Sequence, residues 1–357
     1  MGLSFSNLRW VWVAIGAAGL VLALATLDHV RQRQAVAAPI HGDWETDPAL
    51  WGRQHPREYQ TWKLGQESAR QEPRSAWSQW DPHEVGLWAG SGAEQDVSAP
   101  RAPGHPATCQ VCHDPGTLDL RITQPAFLQA LSRQGLDPAR LSRQDLRTYV
   151  CAQCHSASSG DPGAARTEIA FSAERIRAWS EAEAPATWRH PASGTSLLRF
   201  RHPEFELWRE GIHARRGVSC ADCHMPEVSE GSARFTDHHV GSPMRGVYAA
   251  CLRCHKGGEG PLRARVKGLQ DTTTALRQRA VQALQEAHGA LARAQAAGQG
   301  EAVLKVARAR LRQAQLRWDF IVSDGSAGLH APQEAATILG EAIDLARQAE
   351  VEARRRP

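Results

Sequence analysis

Residues 109–113 read CQVCH, and the same Cys-x-x-Cys-His pattern occurs three more times in this chain of 357 residues. The other copies are CAQCH at 151–155, CADCH at 220–224 and CLRCH at 251–255. One turn of helix brings residues i, i+3 and i+4 towards one side, so each motif presents two thiols and an imidazole together. This pattern is typical of covalent haem attachment, in which both cysteines bind the porphyrin and the histidine binds the iron.

The four motifs use all eight cysteines of the chain. We therefore expect four covalently bound haem c groups, each with one proximal histidine. The predicted attachment residues are Cys109, Cys112, Cys151, Cys154, Cys220, Cys223, Cys251 and Cys254, and the predicted proximal iron ligands are His113, His155, His224 and His255.

Other sites also use paired cysteines, namely four-cysteine zinc sites and thioredoxin-like redox pairs. Neither requires a histidine after every second cysteine. Structural disulfides are not expected, because a chain of this length can bury a core without them. A formal net charge of +4 gives no electrostatic basis for nucleic-acid binding, and no nucleic-acid-binding motif is present.

The N-terminal region contains an uncharged apolar run from Trp10 to Leu27. Its length is near the lower limit for spanning a bilayer, so residues 10–27 are predicted to be a membrane anchor. A cleaved signal peptide is the alternative, since Ala35-Val36-Ala37 is a small-residue cleavage pattern. Charged residues between the apolar run and that pattern favour the anchor. Either interpretation places the rest of the chain in the periplasm.

Composition divides the chain into residues 1–37 (anchor or signal segment), 38–260 (haem region) and 261–357 (a helical region packed on the haem core). In the last region, apolar residues recur at three- and four-residue spacing, with breaks near 298–300 and 324–328. No convincing strand pattern appears. The predicted class is therefore mainly α, a multihaem c-type cytochrome with a loop-rich, haem-packed core and long C-terminal helices.

Several segments resemble a known family over roughly Trp62 to Glu350. They are LWAGSGAEQDVSAPR (87–101), HPEFELWREGIH (202–213), VSCADCHMP (218–226), RFTDHHVGSP (234–243) and LRWDFIVSDGSAGLHAP (316–332). In these segments the chain is similar to the ammonia-forming cytochrome c nitrite reductases, which are periplasmic multihaem enzymes.

The resemblance implies a second, distal histidine for each iron. It pairs His105 with the haem on Cys151 and Cys154, His213 with the haem on Cys251 and Cys254, His238 with the haem on Cys109 and Cys112, and His330 with the haem on Cys220 and Cys223. His239 is the alternative to His238. Because an iron with two imidazole ligands has no free position for a substrate, such haems are expected to pass electrons.

The chain also departs from this family. The family's catalytic haem is attached by a Cys-x-x-Cys-Lys motif, which this sequence lacks, and only residues 106–108 separate His105 from Cys109. The deletion also removes the family's catalytic arginine. Of the catalytic set, only His202 remains, so it is the single candidate catalytic residue.

The family's calcium ligands are replaced as well. Ala157 and Ser158 stand in place of a Glu-Tyr pair, and Arg199 and Arg201 stand in place of Lys and Gln. Calcium is therefore not expected, and the two arginines either supply positive charge in its place or are simply solvated.

Two functions follow from these observations. The first is electron transfer through four bis-histidine haems in anaerobic or nitrogen-oxide respiration, with the quinol pool or a quinol-oxidising cytochrome among the redox partners. The second is a diverged ammonia-forming nitrite reductase in which His202 acts as proton donor. The resemblance also implies a homodimer formed through the C-terminal helices.

Overall fold

The computed structural model describes residues 16–27, 47–71, 87, 108–157, 174, 178, 186, 188–200 and 202–355. Residues 10–15 of the predicted anchor lie outside these ranges, and residues 16–27 form a helix. No helix within the described ranges combines the length and the apolar character needed to cross a membrane. The predicted anchor therefore gains no support from the structure.

The described part of the chain is mainly helical, as predicted. The shorter helices are α1 (16–27), α2 (Pro48–Gln54), α3 (Pro56–Gln71), α4 (Cys109–Cys112), α5 (Pro125–Arg133), α6 (Arg143–Ala152), α7 (Glu204–Glu210), α8 (Ile212–Arg215), α9 (Cys220–His224) and α10 (Val247–Ala250). Three long helices follow, α11 (Glu259–Ala296), α12 (Glu301–Val322) and α13 (Pro332–Ala353). Two 3-10 turns lie at Pro138–Arg140 and Pro243–Arg245.

Two short antiparallel hairpins were not expected from the sequence. Strand β1 (Trp188–Arg189) pairs with β2 (Ser196–Leu197), and β3 (Glu227–Glu230) pairs with β4 (Ala233–Thr236). These four short strands leave the predicted mainly α class unchanged. Strands of two to four residues, with sequences such as EVSE, are too short and too polar to show the alternation by which strands are recognised.

The three long helices form the main core of the described chain. The predicted breaks are confirmed: α11 ends just before Gly298, which has a positive φ, and α13 begins with Pro332 at its first position. Small alanine side chains at the helix contacts allow the helices to pack closely around larger residues such as Leu311 and Trp318. The division of the chain at residues 37 and 260 stays a prediction.

A second, smaller core lies next to the second haem motif. Phe127 and Leu131 of α5 are fully buried, together with Ala152 at the end of α6 and Phe205 in the first turn of α7. The rings of Phe127 and Phe205 meet edge to face at 6.5 Å. This packing fixes the helix that carries Cys151 against the segment that follows His202.

A buried polar cluster connects the β1–β2 hairpin to the long helices. The rings of His190 and His288 stack at 3.8 Å, and both side chains are buried. Nδ1 of His288 is 2.8 Å from the Ser193 hydroxyl, and its Nε2 is 2.7 Å from Oε1 of Gln315. Both ring nitrogens of His288 are thus satisfied without a charge.

This cluster predicts a loss of stability in acid. Burial and the neighbouring His190 lower the pKa of His288 from 6.5 to about 3, against a smaller raising effect of Gln315. Between pH 3 and pH 6.5, the His288 side chain is therefore protonated in the unfolded chain and neutral in the folded one. We expect the contribution of His288 to the free energy of unfolding to be complete above pH 6.5. Below pH 6.5 this contribution should fall by about 1.4 kcal/mol per pH unit, down to about pH 3.

Denaturant unfolding of the natural protein and of His288→Gln, each at several pH values from 4 to 7, checks this expectation. The free energy of unfolding should depend less steeply on pH in the variant, because that side chain no longer takes up a proton. Equal slopes would contradict the assignment of this titration to His288.

Candidate haem centres

Each Cys-x-x-Cys-His motif forms one compact turn of the backbone. In the first, second and fourth motifs the backbone N–H of the histidine donates to the carbonyl oxygen of the first cysteine, at 2.9 Å for His113 and His155 and 3.0 Å for His255. The third motif is helix α9, whose first turn is fixed by reciprocal hydrogen bonds between Ser219 and Asp222. The predicted arrangement of two thiols and an imidazole on one turn is therefore present.

The structure brings three of the predicted pairs of histidines together. The ring centroids are 6.2 Å apart for His113 and His238, 6.3 Å apart for His224 and His330, and 6.1 Å apart for His213 and His255. Two imidazoles that bind one ion through bonds of about 2 Å each lie opposite one another without ring contact. The three separations fit one metal ion between each pair.

His238, and not its neighbour, faces His113. The backbone N–H of His238 donates to the hydroxyl of Thr61 on α3 at 2.9 Å, which fixes this segment against the helix. Nε2 of His239 is instead 2.9 Å from Nη1 of Arg245, which can only donate. The nitrogen that would bind iron is therefore already engaged in His239.

Hydrogen bonds from Nδ1–H to backbone carbonyl oxygens fix the orientation of three of these rings. Nδ1 lies 2.9 Å from the carbonyl oxygen of Leu118 in His113, 2.7 Å from that of Gly241 in His224, and 2.9 Å from that of Thr236 in His238. A carbonyl oxygen only accepts, so Nδ1 carries the proton. The lone pair of Nε2 is then free for a metal, as is usual for ligating histidines.

Burial keeps these three ligands neutral. It lowers the pKa of His113, His224 and His238, and the hydrogen bonds to backbone carbonyls offset only part of this effect. A histidine must be neutral to bind a metal ion. Their surroundings therefore suit iron ligation.

Two other histidines lie beside carboxylates. Nδ1 of His330 is 2.6 Å from Oδ1 of Asp324, whose side chain is almost completely buried. Burial lowers the pKa of His330, but the charge of Asp324 outweighs that effect and the pKa is raised overall. Nδ1 of His155 is 3.6 Å from Oε2 of Glu204, which raises the pKa of His155 despite its burial.

The surroundings of His155 differ from those of the other motif histidines. Its predicted partner, His105, lies outside the described residues. Its ring instead meets that of His202 edge-on at 5.2 Å, and both rings lie 3.6 Å from the Glu204 carboxylate. Burial would raise the pKa of Glu204, but the two histidines outweigh it and lower the pKa to about 2. His202, with a positive φ of 54° and a side chain 54% exposed, is held in a strained and open position.

The cysteines of successive motifs are neighbours in space. Burial, and after it the nearby thiols of Cys151 and Cys154 in the second motif, raise the pKa of Cys112. The neighbouring Cys220 thiol of the third motif, together with burial, raises the pKa of Cys151. Burial, followed by an effect of Cys251 and a smaller one of Cys254 in the fourth motif, raises the pKa of Cys223. The four attachment sites therefore follow one another in space in the order in which they occur along the chain.

The zinc and disulfide alternatives find no support. All eight cysteines lie in the described ranges, and none is in a disulfide. Within those ranges, the side chains of His155, His202 and Glu204 form the one group of three or more potential ligands close enough to share a metal ion. No cysteine belongs to this group.

Comparison with known proteins places these features in a family. The cytochrome c552 family model matches residues 103–356, which is most of the chain. The chain belongs to the cytochrome c552 family. Its resemblance to the cytochrome c nitrite reductases is thereby confirmed, and membership in a cytochrome c family implies covalently bound haem c.

Individual relatives support this assignment. A cytochrome c-552 of Bacteroides thetaiotaomicron is 40% identical over 250 residues, which cover 69% of this chain and 50% of that protein. A cytochrome c-552 of Aliarcobacter butzleri is 28% identical over 414 aligned residues, covering 95% and 82%. This cytochrome c552 chain thus spans about half the length of the Bacteroides relative, and most of the length of the Aliarcobacter one.

The fold is also similar to a solved structure. The catalytic subunit of cytochrome c nitrite reductase from Desulfovibrio desulfuricans, which has two calcium sites, matches with a TM-score of 0.63 at 31% identity. The match covers 69% of this cytochrome c552 chain and 56% of that subunit.

The region predicted to have lost calcium contains a buried carboxyl group. The backbone N–H of Ala157 donates to both oxygens of Glu206, at 3.1 and 3.2 Å. Burial raises the pKa of Glu206 to about 8, so this carboxyl is largely neutral at neutral pH. Arg199 lies nearby in sequence, and Arg201 is outside the described residues. The proposed role of these two arginines in this cytochrome c552 stays a prediction.

Sequence reasoning missed the carboxylates that lie beside His155 and His330. Glu204 follows His202 by two residues, and Asp324 precedes His330 by six, within the break between α12 and α13. An acidic residue shortly before or after a predicted ligand was the available signal. It was weak in this cytochrome c552, because exposed acidic residues near turns are common.

Proposed function

We propose that this cytochrome c552 is a periplasmic electron-transfer protein with four bis-histidine haem c groups. Each bound haem would supply a one-electron ferric–ferrous couple. The observation that carries the proposal is the pairing of imidazoles at 6.1–6.3 Å in three centres, because two axial histidines close both coordination positions to a substrate. For the remaining centre, on Cys151 and Cys154, the family resemblance supplies His105 as the second ligand.

The order of the attachment sites supports the same function. Neighbouring motifs approach one another through their cysteines, so the four centres form a continuous series from Cys109 to Cys254. A series of closely spaced centres suits the passage of electrons from a donor to an acceptor. In nitrogen-oxide respiration, the electron donor would be the quinol pool or a quinol-oxidising cytochrome.

Electron paramagnetic resonance of the oxidised protein, with and without nitrite, tests this proposal. We expect four low-spin ferric signals and no change on adding nitrite. A high-spin signal that shifts with nitrite would overturn the electron-transfer function in favour of a reductase.

Nitrite reduction is the second candidate function, and one observation favours it. His202, the remaining member of the family's catalytic set, lies beside His155 with its side chain 54% exposed. This function would require one iron to lose its distal histidine, or a partner chain to supply the active haem, and His202 could then donate protons to a substrate bound there. Nitrite consumption with an artificial electron donor, compared between the natural protein and His202→Ala, separates the two functions, since a pure electron carrier shows negligible turnover in both.

The membrane anchor at residues 10–27 and a homodimer through α11–α13 remain part of the proposal. Val306 on α12 and Val351 on α13 are exposed apolar side chains that a second copy would cover. Size-exclusion chromatography with light scattering tests the dimer, and membrane fractionation of cells tests the anchor.

A further inference from the structure

Asp324 is a buried acidic residue beside one of the proposed centres. It lies in the loop between α12 and α13 and is 2% exposed. Its Oδ1 accepts a hydrogen bond from Nδ1 of His330 at 2.6 Å. Its Oδ2 accepts from the backbone N–H and the hydroxyl of Ser326. The carboxylate is therefore held in place from both sides and directed at the ring.

The acceptors of the other ligand rings are weaker. The Nδ1–H groups of His113, His224 and His238 donate to neutral backbone carbonyls at 2.7–2.9 Å. A hydrogen bond to an ionised carboxylate is about twice as strong as one to a neutral acceptor. The low dielectric of a buried site strengthens the difference further.

The strength of this hydrogen bond affects the iron that His330 would bind. A carboxylate on Nδ1 draws the ring proton towards itself and makes Nε2 a stronger electron donor. A stronger donor, together with a buried negative charge, stabilises the ferric ion more than the ferrous ion. Hydrogen bonding around the ligands is one of the means by which proteins set haem potentials.

We propose that Asp324 is a positioning residue that lowers the reduction potential of the centre on Cys220 and Cys223. The inference rests on the proposed function, since it assumes a haem ligated by His224 and His330. Glu204 has a related but smaller effect on the centre of His155, because its 3.6 Å separation is too long for a hydrogen bond.

Potentiometric titration of Asp324→Asn, followed by optical and paramagnetic resonance spectra, tests the proposal. The asparagine is nearly isosteric, keeps an oxygen for the Nδ1 proton and removes the charge. We expect the reduction potential of one of the four haems to rise by about 59 mV or more. For one electron this is a tenfold change in the ratio of ferric to ferrous iron at a given potential. The g-values of one low-spin signal should change with it.

Asp271→Asn is the matched control. Asp271 lies on α11, is exposed, and pairs with Lys267. The same loss of a carboxylate there should leave all four potentials unchanged.

Ser326→Ala gives an independent second test. It removes the hydroxyl that donates to Oδ2 of Asp324 and accepts from the backbone N–H of His330, and it leaves the carboxylate on the His330 ring. The potential of the same centre should stay the same or fall, because the carboxylate loses a neutralising partner. If Ser326→Ala raised it as Asp324→Asn does, loop geometry rather than charge would be responsible and the proposal would be wrong.

Other outcomes would also overturn it. Four unchanged couples in Asp324→Asn, even with reduced thermal stability, would leave Asp324 a purely structural role. An equal shift of all four couples would indicate a general charge effect. A failure of the proposed function is distinguishable, because the natural protein itself would then lack four low-spin couples.

Discussion

Replacing Gly211 with alanine is expected to disturb two iron centres at once. A Cβ atom at this position would overlap severely with the carbonyl oxygen of His330 and would also lie too close to that of Trp208. The φ of Gly211 is −78°, which alanine readily adopts, so the effect is purely steric. Because both obstacles are backbone atoms, a side-chain movement cannot relieve the overlap.

The overlap acts on both distal histidines. His330 carries the obstructing carbonyl, and His213 follows Gly211 by two residues at the start of α8. Forcing the segments apart moves each ring relative to its partner. We expect two of the four centres to become high-spin in part or in full, and the free energy of unfolding to fall by about 1–3 kcal/mol, as for other overpacked sites.

Spin quantitation by paramagnetic resonance, together with thermal unfolding, measures both effects. Gly268→Ala is the control, since a Cβ there meets nothing within 4 Å and the residue lies inside α11. That substitution should leave all spin states intact and raise stability by roughly 0.5–1 kcal/mol. Normal spectra in Gly211→Ala would show that the close approach of the two segments does not position the ligands.

The second large effect is expected from His238. Removing its imidazole in His238→Ala leaves the iron on Cys109 and Cys112 with His113 alone, so one centre of four should become high-spin. His239→Ala is the matched control, because Nε2 of His239 is 2.9 Å from Nη1 of Arg245, whereas the ring that lies opposite His113 is that of His238. Paramagnetic resonance spectra of the two oxidised variants measure how much high-spin iron each contains. A high-spin signal in His239→Ala, with His238→Ala unchanged, would reverse the assignment.

Much of the fold was predictable because its signals are local. The turn formed by each Cys-x-x-Cys-His motif depends on four-residue spacing alone, and the limits of α11–α13 depend on Gly298, Pro332 and the helix-forming residues between them. The hairpins β1–β2 and β3–β4 were not predictable, since their strands are too short to carry a periodic pattern.

The candidate site was predictable only in part. Spacing identified the proximal histidines, but the distal ones required a family resemblance, because any of the remaining histidines could approach an iron from a distant part of the chain. The hydrogen bond between Asp324 and His330 depends on the geometry of the loop between α12 and α13. The approach of Gly211 to that loop depends on packing between segments far apart in sequence. Neither appears in any local pattern.

The positions of the paired histidines have a consequence for how the protein matures. The partner of His113 is His238, and the partner of His224 is His330, which lies after α11 and α12. Each of these two motifs is therefore synthesised before the histidine that lies opposite it. We expect haem attachment to both motifs to be possible in that interval, and the docking of the C-terminal helices to end it.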